Sequence, residues 1–292
     1  MGFTSSFGLD ATIGAAIRKM GYGMDHEIVG RSRELFAASR DFTLPEGATR
    51  HDDVGYGEHA RQRLDICQPA GKNLPVALFI PGGGFVGGDK SFYAHIPHFF
   101  AREQFVGVAA NYRLAPHHPW PCGAEDVSAA IDWIARNIAE YGGDPSRIFV
   151  IGQSAGAVHT ASSIFDPKLR PAHYEAVRAA ALMSGLYKIG PGMAAPGVYS
   201  YFGEDEARYA ERSSVNFVGK SKLPVLMTLA EFEPEFFAPQ AAALLEALNA
   251  RDGHSPQFAW LRGHNHLSPV LGMGSGSDLL GKSILAEFRQ YL

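Results

Sequence analysis

From Val54 to the end of the chain, short apolar runs alternate with amphipathic segments. Six of the runs are largely apolar, and most of these contain β-branched residues, which is typical of strands buried on both faces of a parallel sheet. The segments between them carry apolar residues at helical spacing. The predicted strands are 76–80, 105–110, 148–151, 179–183, 225–229 and 257–261, and the predicted helices are 94–103, 124–141, 155–165, 240–251 and 283–291.

The part of the chain before these elements has a different pattern. Segments 52–57 and 62–68 alternate between polar and apolar residues, which predicts a hairpin at one edge of the sheet. Residues 1–48 contain two amphipathic stretches, 11–20 and 26–39, and then the turn sequence TLPEG. We therefore predict an α/β protein with a mostly parallel, doubly wound sheet. Residues 1–48 would form a small N-terminal helical cap on a main unit of residues 49–292, within a single domain overall.

Charge and composition narrow the class of protein. The 292 residues carry a net charge of −4 without a basic run, which argues against nucleic acid or a membrane surface as the main partner. The N-terminus lacks the pattern of a signal peptide, and no 18 consecutive residues are apolar, so we expect a cytoplasmic protein. Cys67 and Cys122 are far apart and in no metal-ligand spacing, which favours two reduced thiols over a disulfide.

The most specific motif is Gly-Gln-Ser-Ala-Gly at 152–156. It stands between a predicted strand and a predicted helix, and the small residues two before and two after Ser154 suit a turn too tight for a Cβ. Such a turn holds a serine hydroxyl exposed at a helix N-terminus, where developing negative charge is stabilised. Ser154 is therefore the candidate nucleophile; the alternative is a structural glycine-rich turn.

A second glycine-rich loop, Pro81-Gly82-Gly83-Gly84-Phe85, follows the strand 76–80 directly. Consecutive glycines allow backbone N–H groups to point at a reacting carbonyl and to stabilise the oxyanion of a tetrahedral intermediate. We assign the N–H groups of Gly83, Gly84 and Ala155 to such an oxyanion hole. A phosphate-binding loop is disfavoured, because neither the P-loop Lys-Ser/Thr nor the Rossmann glycine spacing is present.

A serine hydroxyl needs a base, and the base needs an acid to orient it. His264 and His266, between the last predicted strand and the last helix, are the candidates for the base. His266 is preferred because an apolar residue and a short helical stretch follow it. A zinc site at this His-x-His would need a third ligand at sensible spacing, which we do not find. The candidates for the acid, Glu231, Glu233 and Glu235, follow the strand 225–229.

From about Asp52 to Leu292 the ordered motifs resemble the hormone-sensitive-lipase-like esterases and the related arylformamidase-like branch of the α/β-hydrolase fold. The motifs are Pro-Gly-Gly-Gly-Phe at 81–85, Asn-Tyr-Arg-Leu-Ala-Pro at 111–116, Gly-Gly-Asp-Pro-Ser-Arg-Ile at 142–148, the serine motif, Ala-Glu-Phe-Glu-Pro at 230–234 and Tyr-Phe-Gly at 201–203. The resemblance selects Glu233, the residue before proline, as the triad acid. The order Ser154, Glu233, His266 is the order of this fold. Pro81, Gln153, His117 and Glu233 depart from the residues usual in the family.

The resemblance implies a serine carboxylesterase that hydrolyses small esters through an acyl-enzyme, without cofactor or metal, and it is compatible with a homodimer. The main alternative is an arylformamidase or another amidase with the same triad. A non-catalytic binder of this fold is disfavoured, because such scaffolds typically lose the nucleophile or the base. Candidate pocket residues are the aromatics Phe85, Phe3, Phe7 and Tyr22, although ordinary core packing is the more common role of such residues.

Overall fold

One eight-stranded sheet forms the centre of the protein in the computed structural model, which describes residues 9–193, 197–276 and 278–292. The strands are β1 (Thr49–Gly55), β2 (Arg63–Gln68), β3 (Leu74–Ile80), β4 (Val106–Ala110), β5 (Gly143–Gln153), β6 (Val177–Met183), β7 (Val225–Phe232) and β8 (Gln257–Asn265). Their order is β1-β2-β4-β3-β5-β6-β7-β8. The pairs β1–β2 and β2–β4 are antiparallel, and every other pair is parallel. The predicted edge hairpin and the mostly parallel sheet are both confirmed.

Helices cover both faces of the sheet. They are α1 (Ala11–Met20), α2 (His26–Leu35), α3 (His95–Arg102), α4 (Cys122–Asn137), α5 (Ala155–Phe165), α6 (Val198–Phe202), α7 (Tyr209–Arg212), α8 (Phe237–Asp252), α9 (Ser268–Leu271) and α10 (Leu279–Phe288). Apolar side chains of α4, α5 and α8 pack on one face, and those of α1, α3 and α10 on the other. Alternate residues of β3 enter the two cores, with Val76, Leu78 and Ile80 on the first face and Ala77 and Phe79 on the second. This arrangement explains the continuously apolar strands.

The N-terminal helices α1 and α2 begin at aspartate caps. The Asp10 carboxylate accepts the N–H of Thr12 at 2.8 Å, and the Asp25 carboxylate accepts the N–H of Ile28 at 2.9 Å. Both interactions satisfy amides that have no acceptor within the helix. Ile17 of α1 is fully buried in the second core, so this part of the N-terminal segment packs on the main unit.

Two boundaries differ from the prediction in ways that affect the site. Helix α2 ends at Leu35 and is followed by turns, so it is shorter than the predicted 26–39. Strand β8 continues to Asn265, four residues beyond the predicted end, and therefore includes His264. Both cysteines are free thiols, as predicted. Within the described ranges, no helix is both long and apolar enough to cross a membrane.

Candidate active site

Ser154 lies at a sharp bend between β5 and α5. Its backbone has φ 54° and ψ −122°, a conformation that non-glycine residues rarely adopt. Such a conformation is strained and persists only where the surrounding structure enforces it. The flanking glycines are required by contact distances. A Cβ on Gly152 would lie 2.6 Å from the carbonyl oxygen of Gly156, and a Cβ on Gly156 would lie 2.2 Å from that of Ile80. The bend raises the half-exposed Ser154 side chain above the end of the sheet.

The first turn of α5 supplies unpaired amide groups beside Ser154. The N–H groups of Ala157 and Val158 donate to the Ser154 carbonyl at 2.9 and 3.1 Å, which starts the helix. The N–H of Ala155, the first amide of the helix, has no acceptor within the helix. It remains available to an oxyanion next to Ser154.

The glycine loop after β3 lies directly against Ser154. A Cβ on Gly82 would stand 2.8 Å from the Cβ of Ser154, and a Cβ on Gly83 would collide with the Gly87 carbonyl at 2.1 Å. Gly83 and Gly84 have φ values of 155° and 59°, which side chains disfavour. Among the described residues, neither glycine donates its N–H to a backbone acceptor. The loop thus presents free amides near the serine.

Polar tethers hold this loop at both ends. The Tyr112 hydroxyl donates to the Pro81 carbonyl at 2.9 Å, and Nη2 of Arg61 donates to the Gly88 carbonyl at 2.8 Å. Nε of Arg61 also donates to the Tyr112 carbonyl at 2.8 Å, which connects the two tethers. Hydrogen bonds from Tyr112 and Arg61 to main-chain carbonyls therefore fix the position of the loop.

His266 is the first residue after β8, and it is buried against the site. Its Nδ1 lies 3.7 Å from Oε1 of Glu233, and its ring stacks on Phe237 with centroids 4.5 Å apart. The side-chain nitrogen Nε2 of Gln153 lies 3.1 Å from the carbonyl oxygen of His266 and 3.3 Å from the ring nitrogen Nε2 of His266. The residue before Ser154 therefore contacts His266 directly.

His264 has a different environment. It lies within β8, where its Nδ1 is hydrogen-bonded to Oγ of Ser268 at 2.9 Å. Burial lowers the pKa of His264 to about 4, since the charged imidazolium would lose its hydration. This contact fixes the turn into α9 and directs the ring to Ser268.

Glu233 follows the end of β7 and is buried. Its Oε1 accepts hydrogen bonds from the Ser184 hydroxyl and, at 3.2 Å, from the Ala230 N–H. Glu231 instead accepts the N–H of Gly263 at 2.7 Å and ties β7 to β8, while Glu235 is exposed. Sequence reasoning missed Ser184. The available signal was its position directly after β6, at the carboxyl edge of the sheet where ligand-binding residues gather.

A small cavity opens beside the serine. Its volume is about 20 Å³, which is room for about one water molecule. It is lined by Met24, Gly84, Phe85, Ser154, Ala155, Leu186, Phe236 and Phe237. Of the candidate pocket aromatics, Phe85 is in this lining and stacks on Tyr201 at 4.8 Å. Tyr22 is 61% exposed and packs against Phe232, whereas Met24, two residues later, reaches the cavity. Phe3 and Phe7 lie outside the described residues.

Comparison with known structures identifies the fold. A crystal structure of esterase B from Lactobacillus rhamnosis superposes with a TM-score of 0.72 over 96% of this chain and 94% of that one, at 18% identity. The protein has the α/β-hydrolase fold. The predicted fold class is thereby confirmed.

Parts of the chain are similar in sequence to esterases. Residues 64–164 match the BD-FAE family model. The probable carboxylic ester hydrolase LipM of Mycobacterium tuberculosis is 37% identical over 150 residues, 47% of this chain and 35% of LipM. The carboxylesterase NlhH of the same species is 46% identical over 116 residues, 39% of this chain and 36% of NlhH. The predicted esterase resemblance is confirmed, although the chain matches only about a third of the length of these relatives.

Proposed function

We propose that this α/β-hydrolase is a serine carboxylesterase that cleaves small carboxylic esters through an acyl-enzyme on Ser154. The observation that carries the proposal is the convergence at one edge of the sheet. The strained serine, the free glycine amides and the His266–Glu233 pair follow the carboxyl ends of the parallel strands β3, β5, β7 and β8. The similarity to LipM and NlhH supports the choice of carboxylic esters as substrates.

In the first half-reaction, Nε2 of His266 removes the proton of Ser154 as Oγ attacks the ester carbonyl carbon. The carbonyl oxygen becomes an oxyanion and accepts hydrogen bonds from the N–H groups of Gly83, Gly84 and Ala155. Glu233 stabilises the imidazolium that forms. When the intermediate collapses, the alkoxide leaves with the proton from His266, and the acyl group stays on Ser154.

In the second half-reaction, His266 takes a proton from water, and the resulting hydroxide attacks the acyl carbon. The oxyanion hole is used again. Collapse of this intermediate returns the proton from His266 to Oγ of Ser154 and releases the carboxylic acid. In the structure Nε2 of His266 is in contact with Gln153. The hydrogen bond between His266 and Ser154 therefore has to form when substrate binds, because catalytic hydrogen bonds often close only in the substrate complex.

The cavity beside Ser154 supports a short acyl or compact aryl substituent. Its volume of about 20 Å³ accepts little more than a methyl-sized group without movement of Met24 or Phe236. Both of these side chains are only partly buried. Long acyl chains would have to displace them.

Hydrolysis of a panel of p-nitrophenyl esters from acetate to octanoate, beside N-formylkynurenine, tests the proposal. We expect the acetate and other short esters to have the highest kcat/KM and Ser154→Ala to remove the activity. Faster turnover of the formamide would replace the ester assignment with a formamidase. Retention of full activity in Ser154→Ala would contradict the mechanism.

We further propose that residues 1–48 act as a cap over the substrate cavity, because Met24, between α1 and α2, lines it. A homodimer in the cytoplasm remains part of the proposal. Among the described residues no further strand pairs with the outer edge of β8, where Phe258 and Trp260 are exposed by 41% and 48%, which is compatible with self-association. Light scattering coupled to size-exclusion chromatography measures the oligomeric state.

A further inference from the structure

The carboxamide of Gln153 occupies the space between the base and the glycine loop. Gln153 is the last residue of β5, precedes Ser154 directly and is only 1% exposed. One end of its side chain contacts His266. The other end, Oε1, lies so close to the glycine loop that a Cβ on Gly82 would stand 2.3 Å from it. A single side chain therefore contacts both parts of the proposed catalytic machinery.

The contacts with His266 fix the orientation of this carboxamide. A backbone carbonyl oxygen only accepts hydrogen bonds, so the atom 3.1 Å from the His266 carbonyl must be the amide nitrogen of Gln153. The same NH₂ group has a second N–H, and the His266 ring nitrogen Nε2 lies 3.3 Å away. Gln153 thus donates to the main chain and to the ring of the same residue.

A donor at Nε2 determines which tautomer of neutral His266 is favoured. Nε2 accepts an N–H only when it carries a lone pair, so the ring proton must be on Nδ1. Nδ1 is the nitrogen that faces Glu233 at 3.7 Å. This is the tautomer that a general base needs, because Nε2 has to be unprotonated to take the serine proton.

We infer that Gln153 is a positioning residue that holds His266 in its reactive tautomer and ties the base loop to the glycine loop. The inference rests on the proposed function. The amide and the serine proton compete for the single lone pair of Nε2, so the Gln153 contact belongs to the resting enzyme and yields when Ser154 transfers its proton. The contact with the His266 carbonyl needs no such change and keeps the loop in place throughout turnover.

An acidic residue in place of Gln153 would act differently. A carboxylate at the Gln153 position cannot donate to the His266 carbonyl or to Nε2. It would accept a hydrogen bond from a protonated Nε2 and so favour the opposite tautomer. It would also stabilise the imidazolium in competition with Glu233. Among the described residues, Glu233 is the carboxylate that lies close to His266, with Oε1 3.7 Å from Nδ1, and Phe237 of α8 adds only an apolar ring. The neutrality of Gln153 therefore leaves Glu233 as the single carboxylate at the base.

Two matched variants test the inference. Gln153→Met keeps the length of the side chain without a donor, and Gln153→Glu keeps its shape but adds a charge. The tautomer of His266 is read from ¹⁵N-histidine NMR at pH 8.5, with the signal identified by its loss in His266→Gln. We expect an unprotonated Nε2 in the wild-type protein, a mixture of tautomers in Gln153→Met and a protonated Nε2 in Gln153→Glu.

The rate of Ser154 labelling by a fluorophosphonate, measured from pH 5 to 9, gives a second readout that does not depend on the ester substrate. We expect the rate to fall about tenfold in Gln153→Met. In Gln153→Glu we expect the acid limb of the profile to move to higher pH by about one unit. Thermal unfolding shows whether each variant is folded, and a variant that is not folded is replaced by Gln153→Asn, which keeps the amide group.

The outcomes separate the two claims. A wild-type tautomer with the proton on Nε2, or an unchanged acid limb and tautomer in folded Gln153→Glu, overturns the inference and leaves the proposed function intact. Absence of labelling in the wild-type protein contradicts the proposed function, and the inference falls with it.

Discussion

At the centre of the site, Nδ1 of His266 and Oε2 of Glu233 are buried atoms without a hydrogen-bond partner among the described residues. A buried polar atom left unpaired costs roughly 1–3 kcal/mol. Each is the natural partner of the other, since the imidazole N–H donates and the carboxylate accepts. A small movement that closes the 3.7 Å separation of the two groups is therefore favourable, and substrate binding can drive it.

The two glutamates after β7 should respond differently to neutralisation. Glu233→Gln removes the charge that stabilises the imidazolium, so we expect kcat to fall roughly 10³-fold or more with KM little changed. Glu231→Gln keeps an oxygen that can accept the Gly263 N–H, and we expect kcat within about threefold of wild type. Steady-state kinetics on p-nitrophenyl acetate measure both. The reverse ranking would assign the triad acid to Glu231.

At the scale of elements, the parallel strands were predictable because their apolar runs reflect burial on both faces, a local property of the sequence. The extension of β8 through residues 262–265 was not predictable from the sequence. These residues are polar, and they pair with β7 because long-range hydrogen bonds satisfy them, such as that from the Gly263 N–H to Glu231. Likewise, no local pattern indicates the contact of Ser184 with Glu233 or of Gln153 with His266, since the partners are 49 and 113 residues apart.

The junction of β5 with α5 gives a test of the bend. In Gly156→Ala the new Cβ would meet the Ile80 carbonyl at 2.2 Å, and a main-chain atom cannot move aside as a side chain could. We expect displacement of the serine and a loss of kcat/KM of roughly 10²-fold. Gly30→Ala, inside α2, is the control because no atom lies within 4 Å of its new Cβ.

For the control we expect unchanged activity and a gain of about 0.5–1 kcal/mol in the free energy of unfolding, from the helix propensity of alanine. Urea denaturation and ester hydrolysis measure the two properties on the same samples. Wild-type kinetics in Gly156→Ala would show that the bend tolerates a Cβ and that the close contact does not position Ser154.

At the scale of the whole molecule, ionisation of buried groups makes stability depend on pH. Burial lowers the pKa of His95 to about 4, of His159 to about 3 and of His264 to about 4. Burial raises the pKa of Asp278 to about 6. Near pH 5 these three histidines are therefore protonated in the unfolded chain and mostly unprotonated in the native protein, a difference of about three protons. Asp278 acts in the opposite direction by about one proton, because it is protonated in the native protein and ionised in the unfolded chain.

We accordingly expect the free energy of unfolding to decrease as the pH is lowered from about 6 to 4.5. A net difference of about two protons corresponds to about 3 kcal/mol per pH unit. In His159→Leu one titrating group is removed, and the slope should fall by about 1.4 kcal/mol per pH unit whatever the change in absolute stability. Urea melts at pH 7, 6, 5.5 and 5 give the slope. A slope near zero, or one unchanged in the variant, would show that these histidines are protonated in the native state.

The protein as a whole shows how far sequence reasoning reaches. The fold class and the edge hairpin were predictable because they follow from hydrophobic pattern, and the motifs around Ser154 and the glycine loop were recognisable because local geometry requires those residues. The size of the cavity was not predictable. It depends on Met24, Leu186, Phe236 and Phe237, which come from three separate segments and meet only in the folded chain.

The central claim, that Ser154 is a nucleophile activated by His266, is tested most directly by labelling with a fluorophosphonate and mapping the modified peptide by mass spectrometry. We predict one phosphonyl group on Ser154 in the wild-type protein and His264→Ala, very slow labelling in His266→Ala, and none in Ser154→Ala. A folded wild-type protein whose Ser154 stays unmodified, or one labelled equally fast without His266, would contradict the account.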